Sequence, residues 1–180
     1  MSSKIEWTDK TVNPITGCTP YSPGCDHCYA KVMAARQHGM GHEKYRNKFE
    51  VTLHPELLDK PGEWKTPKKI FMVSMGDVFH QDVPMEFRQQ VFETALKYPQ
   101  HTYQMLTKRA ELLLEAAPQL PWPENLWMGV TIEADDYAYR AELLKQTPAA
   151  VKFVSLEPLL GPLPSLDLDG LDWVIVGGER

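Results

Sequence analysis

The sequence predicts an α/β protein, a partial (βα)6 TIM-like barrel with parallel strands. Two observations carry this. First, short apolar, β-branched runs recur from residue 70 onward, starting near residues 70, 102, 126, 151 and 171. Helix-like segments lie between most of them, the pattern of repeated βα units. Second, each run ends in polar or charged residues, as the carboxyl ends of parallel strands do when they form a functional mouth. With a weaker run near the amino terminus, six strands are visible rather than eight, so a partial barrel is expected over a complete one or a flat doubly wound sheet. At 180 residues the chain fits one domain, 1–180.

The first expected strand is Thr11–Thr16, leading into a turn-rich loop with Pro20, Pro23 and Gly24. Asp26 is expected to cap a helix with Tyr29, Val32 and Met33 on one face, closed by Gly39. Residues 39–69 read as an irregular insertion, interrupted by Gly41, Pro55, Pro61, Gly62 and Pro67, with a short alternating strand at Phe49–Leu53. Ile70–Ser74 reads as a strand buried on both faces. The helix after it starts near Pro84, with Phe87, Val91, Ala95 and Leu96 inward, and Pro99 stops it. Thr102–Leu106 is the next strand, followed by a helix with Leu112, Leu113 and Ala116. Leu126–Val130 precedes a helix that begins at Asp135 or Asp136 and turns Tyr137, Ala141 and Leu144 inward. Val151–Leu156 is a strand. Pro162 and Pro164 allow only a short helix after it, and Leu171–Val176 is the last strand. The sequence ends at Gly177-Gly178-Glu179-Arg180 with no helix over that strand. The expectation is a truncation, or a partner chain covering the edge, with a real terminus packed by the barrel's own interior as the plain alternative.

Composition narrows the function classes. The net charge of −5 disfavours a globally basic nucleic-acid binder. Lys44, Arg46, Lys48, Lys60, Lys65, Lys68 and Lys69 read as scattered solvated charges, although Tyr45 and Trp64 beside them leave a nucleic-acid contact open. No stretch of about 18 apolar residues suggests a membrane span. The amino-terminal Met1–Asp9 lacks the apolar core of a secretory signal, and clustered reduced cysteines point to the cytoplasm.

All three cysteines, Cys18, Cys25 and Cys28, fall within one C-x6-C-x2-C stretch. An odd count and a closely spaced last pair fit disulfides poorly. Metal ligation fits better: zinc with His27, His38 or His42 as fourth ligand, or a [4Fe–4S] cluster with one iron left open. Buried free thiols remain the plain alternative. The other strand ends carry Ser74, Asp77 and His80; Thr107, Lys108 and Arg109; Thr131 and Glu133; Glu157; and Gly177, Gly178 and Glu179. An open iron can hold the amino and carboxylate groups of S-adenosylmethionine and deliver an electron that generates a 5′-deoxyadenosyl radical. Asp77 suits a cationic amino group, and Thr131 or Glu133 suits ribose hydroxyls. Ser74, Met75, Gly76, Ser155, Glu157, Gly177 and Gly178 complete the expected cofactor-binding rim.

Specific segments carry a resemblance. Trp7-Thr8, Asn13-Pro14, Gly17-Cys18 and Ser22–Ala30, with Ser74–His80, Leu106–Arg109, Gly129–Thr131, Ser155–Gly161 and Val176–Glu179, resemble the phage-associated three-cysteine-motif proteins of unknown function, a family similar to the radical SAM superfamily. The resemblance spans nearly the whole chain and implies a barrel of radical SAM type, a three-cysteine [4Fe–4S] cluster and S-adenosylmethionine as cofactor. The alternative is a zinc-stabilised module binding phage nucleic acid or a protein partner. The common superfamily pattern is C-x3-C-x2-C with an aromatic residue before the last cysteine. Here the first gap is six residues and His27 precedes Cys28. The superfamily's Gly-Gly-Glu follows its second strand, where this chain has Met75-Gly76-Asp77. The resemblance therefore implies the amino-group role for Asp77, not Glu179.

Overall fold

A computed structural model describes residues 5–177. Two short strands, β2 (Ile15–Thr16) and β3 (Thr52–Leu53), pair apart from the main sheet, whose six parallel strands run in the order β1, β4, β5, β6, β7, β8. These are Lys10–Thr11, Lys69–Phe71, Thr102–Thr107, Leu126–Thr131, Val151–Leu156 and Trp173–Val176. From β4 on, each strand joins the sheet beside its predecessor, as a singly wound βα series does. Helices α2 (Met85–Lys97), α3 (Ala110–Ala116) and α4 (Tyr139–Lys145) fill the first three crossovers after β4. Their Val91, Phe92, Leu113, Ala141 and Leu144 share one core with alternate strand residues Ile70, Tyr103, Met105, Met128 and Val154. One face of the sheet is thus sealed by helices.

The opposite face curls inward. A flat sheet would put β4 and β8 about 19 Å apart, at about 4.8 Å per strand. Yet the Trp7 ring lies 4.8 Å from Phe71 of β4 and 5.9 Å from Trp173 of β8. Trp173 also meets Trp127 and Phe153 at 6.1 and 5.1 Å. Phe153 lies so close over Gly129 that a Cβ there would fall 2.7 Å from its ring. Aromatic packing, not a strand ladder, therefore spans the gap between the first and last strands of this half-barrel.

The first expected strand is split. β1 ends at Thr11, and β2 (Ile15–Thr16) leaves the sheet to pair antiparallel with β3 (Thr52–Leu53). Pro14 has no N–H for a ladder. The Asn13 carboxamide oxygen instead accepts from the N–H groups of Ser74 and Met75 at 2.7 and 3.0 Å. β4 correspondingly ends at Phe71, short of the expected Ser74.

Helix α1 (Tyr29–Gly39) is present, but Asp26 does not cap it. Cys28 occupies the N-cap with no side-chain hydrogen bond. Its inward face is also corrected. Ala30 and Ala34 are buried against Met75, Tyr45 and Phe49, whereas Tyr29, Val32 and Met33 lie on the exposed side. Small residues let the insertion approach the helix closely, so the larger apolar ones turn outward. Leu96 of α2 is likewise exposed, while Phe87, Val91 and Ala95 are buried. The expected helix at Asp135 opens as a 3-10 turn, Asp135–Tyr137, and the connection 159–170 forms no helix. Trp64 packs partly buried against the main core, edge-on to His101 at 6.1 Å, rather than standing open as a base-stacking platform.

Candidate functional site

The loop carrying the cysteines lies across the carboxyl ends of the parallel strands. Gly17 starts it at φ +88°, a conformation that favours glycine, and a Cβ there would run into the Glu50 carbonyl. Its N–H donates to the Met75 carbonyl at 2.9 Å, and the Cys18 N–H donates to that of Phe49 at 3.2 Å. The chain then passes over the ends of β4, β5 and β6, makes a 3-10 turn at Pro23–Cys25, and enters α1 at Cys28.

Beneath Cys18 is a buried ion pair. Arg109, just beyond β5, donates from Nη1 to Asp77 Oδ2 at 2.9 Å and to Cys18 Sγ at 3.4 Å. Its Nη2 donates to the Thr19 carbonyl at 3.0 Å. The Thr107 hydroxyl lies 2.8 and 2.9 Å from the two Asp77 oxygens and accepts from the Arg109 N–H at 2.9 Å. Asp77 Oδ1 also accepts from the Phe79 N–H at 2.9 Å. Burial works to lower the Arg109 guanidinium, but the charges of Asp77 and Cys18 carry it above its ordinary value. Burial pushes the Cys18 thiol up, with Asp77 adding to the shift and Arg109 partly offsetting it.

A second buried pair stands under the middle of the loop. Arg140 Nη1 donates to Glu133 Oε2 at 2.9 Å and to the Thr131 carbonyl at 2.7 Å. Gly24 rests on the Glu133 side chain, where a Cβ would fall 3.1 Å from Cγ. The Tyr21 ring bridges the two pairs, 4.9 Å from the Arg109 guanidinium and 5.6 Å from that of Arg140, at cation–π distance. Its hydroxyl donates to Glu111 at 3.0 Å, as that of Tyr139 does at 2.6 Å. Burial opposes the Glu111 charge, but these phenols hold its carboxyl below the usual range.

The fully buried His80 holds Thr19. Its Nδ1 accepts from the Asp82 N–H at 3.2 Å, so the proton sits on Nε2 and is donated to Thr19 Oγ1 at 2.9 Å. Burial, with the nearby Arg109 charge next, lowers the imidazole from its ordinary value.

The expected rim residues divide into two groups. Asp77, Thr131 and Glu133 are buried, and both carboxylates are committed to arginines. Ser74, Met75 and Gly76 lie under the loop, pinned by Asn13 and by a bridge from Gly76 to Gly17. Ser74 also gives its carbonyl to the Tyr29 hydroxyl at 2.6 Å. Tyr29 is largely exposed, and desolvation acts on its hydroxyl against Ser74. Burial, with the Cys28 charge next, pushes that phenol up to about 12. Glu157 is exposed, with the buried Ser155 hydroxyl 3.2 Å from Oε2 and Gly177 against its side chain. Gly178 lies outside the described residues.

The three thiols are free and half-buried. Among the described residues, no three His, Cys, Asp or Glu side chains already stand as a ligand group. The donor chemistry nevertheless fits a soft metal centre, with three unpaired thiols on one loop and a guanidinium N–H directed at the first. Sequence reasoning placed Arg109 at a strand end but missed Asn13, Tyr21 and Arg140. Asn13-Pro14, which interrupts a strand, was the available signal for Asn13.

The model of the family DUF5131, proteins of unknown function, matches residues 2–180, and the chain belongs to that family. No curated protein and no solved structure matches it.

Proposed function

We propose that this member of the DUF5131 family is an iron–sulfur enzyme of radical SAM type, related to the phage-associated three-cysteine-motif proteins. Cys18, Cys25 and Cys28 would hold a [4Fe–4S] cluster, with S-adenosylmethionine bound at the strand ends. The supporting observation is the position of the cysteine loop over the carboxyl ends of β4, β5 and β6. Its contacts there run to Ser74, Arg109 and Glu133. That edge is where parallel βα architectures build their sites.

When bound, the cluster would supply the electron that cleaves a carbon–sulfur bond of S-adenosylmethionine. The chain's own residues would position the cofactor and exclude water. Asp77 and Glu133 brace the arginines under the loop, and meeting an ammonium would cost them buried ion pairs. Glu157, exposed and oriented by Ser155 and Gly177, is the better carboxylate for the cofactor's amino group. Ser74 and Thr131 would line the approach, with Met75 and Gly76 shaping its floor.

Anaerobic reconstitution tests this reading. The expected product is brown, absorbs at about 400 nm and carries about four irons per chain, as a [4Fe–4S] protein does. Reduction with S-adenosylmethionine is expected to release 5′-deoxyadenosine, and Cys25→Ala to abolish iron uptake. A colourless protein with stoichiometric zinc would instead establish a zinc-stabilised binding module. Iron uptake without 5′-deoxyadenosine would leave a cluster protein that does not cleave the cofactor.

A further inference from the structure

We propose that Arg109 is the positioning residue of this centre, fixing Cys18 on the strand ends and raising the reduction potential of the cluster it ligates. The inference rests on the cluster reading above and deepens it.

The geometry is specific. The Arg109 side chain is 5% exposed, and its guanidinium reaches three residues of the cysteine loop: Cys18 through Sγ, Thr19 through its carbonyl and hydroxyl, and Tyr21 through the ring face. The fork is held from behind. Thr107 accepts from the Arg109 backbone and donates to Asp77, and Asp77 takes Nη1 at 2.9 Å. Nη1 is thus shared between a carboxylate and a sulfur. An ion pair made only for stability would need neither the sulfur nor the Thr19 contacts.

Hydrogen bonds to ligating sulfurs and nearby positive charge both favour the more electron-rich state of a cluster, which raises its potential. Lysine in this place would keep the charge opposite Asp77. Its single ammonium, on a flexible stem, cannot span sulfur, carbonyl and carboxylate as a planar fork does. Charge pairing and sulfur donation can therefore be separated by substitution.

The experiment compares anaerobically reconstituted wild type, Arg109→Lys, Asp77→Asn and the double variant Arg109→Gln/Asp77→Asn. The double variant removes both buried charges together and serves as the readout should Arg109→Lys fail to fold. Iron per chain, thermal melting and the midpoint potential, from a reductive titration followed by electron paramagnetic resonance, are measured on each. The expected result is wild-type iron content, with the Arg109→Lys midpoint more negative than that of wild type and the double-variant midpoint more negative than that of Asp77→Asn alone. A folded Arg109→Lys protein that no longer retains iron also supports the positioning role. Arg109→Lys loading iron at the wild-type midpoint, or the double variant loading iron at the midpoint of Asp77→Asn, overturns the inference and leaves the cluster reading standing. A wild type that takes up no iron overturns the cluster reading itself, before any variant is considered.

Discussion

The two ends of the cysteine loop are held by different physics. The leading end, Gly17 to Tyr21, is tied to distant parts of the chain. Gly17 bonds to Met75, Cys18 to Phe49 and Arg109, Thr19 to His80 and Arg109, and Tyr21 to Glu111. In the trailing end, Cys25 to Tyr29, the backbone bonds are local, Cys25 to Ser22, Asp26 to Pro23 and Cys28 to Cys25, while Cys28 packs against the small cluster of Ala30, Ala34 and Met75. One phenol, Tyr29, reaches out to Ser74. One end is thus held by long-range hydrogen bonds, while the backbone bonds of the other are local. On the proposed function, Cys18 is the ligand held directly by the strand ends, through Arg109.

The sharpest way to break this contrast is at the buried pair. Arg109→Ala is expected to cost about 3 kcal/mol in urea unfolding, because it leaves the Asp77 carboxylate buried without its cation. Thr107 and the Phe79 N–H remain to Asp77 and keep the loss at the lower end of that class. Gly17→Ala comes next, at about 2 kcal/mol, since it combines an unfavourable φ with a Cβ driven into the Glu50 carbonyl. Tyr29→Phe, at the trailing end, removes one hydrogen bond and is expected to cost about 1 kcal/mol. Equal losses for Arg109→Ala and Tyr29→Phe in the same assay would erase the distinction.

The smallest effect is set by pH. His80 has a folded pKa below its unfolded value of about 6.5, so the unfolded chain binds more protons in that interval. Its contribution to stability is full above about pH 6.5 and is lost as pH falls through the folded value. His54, shifted in the same direction by burial, adds a parallel loss. Urea midpoints measured from pH 7.5 down to 5 should therefore fall, and His80→Gln should reduce the slope without abolishing it. An unchanged slope would remove His80 from the leading-end anchor.

The sequence was legible where one physical demand dominated. β5, β6 and β7 lie in a sheet that is buried over most of its area, and their continuous apolar runs give them away. Pro84 marks the entry to α2 for a local reason, its fixed φ. The misreadings arise where tertiary contact competes with a local pattern. Asn13 takes over bonds that a strand would make, which cuts β1 short. Tyr45 and Phe49 select the alanine face of α1, which no helical periodicity reveals. The same holds at the site. Carboxylates at strand ends were visible in the sequence. That Asp77 and Glu133 are taken by Arg109 and Arg140 depends on side chains brought together only by the fold.

The aromatic seam has a bearing on the order of assembly. Trp7 and Trp173 come from opposite ends of the described chain, and their contact closes a far longer loop than any strand pairing in the half-barrel. Loop closure of that length carries one of the largest chain-entropy costs in the fold. In a chain emerging from the ribosome, the seats of the cysteine loop at Asp77, Arg109 and Glu133 are all made before Trp173. The nascent protein can therefore seat its cysteines while the barrel is still unzipped, and the tryptophan seam fastens around a site already laid down.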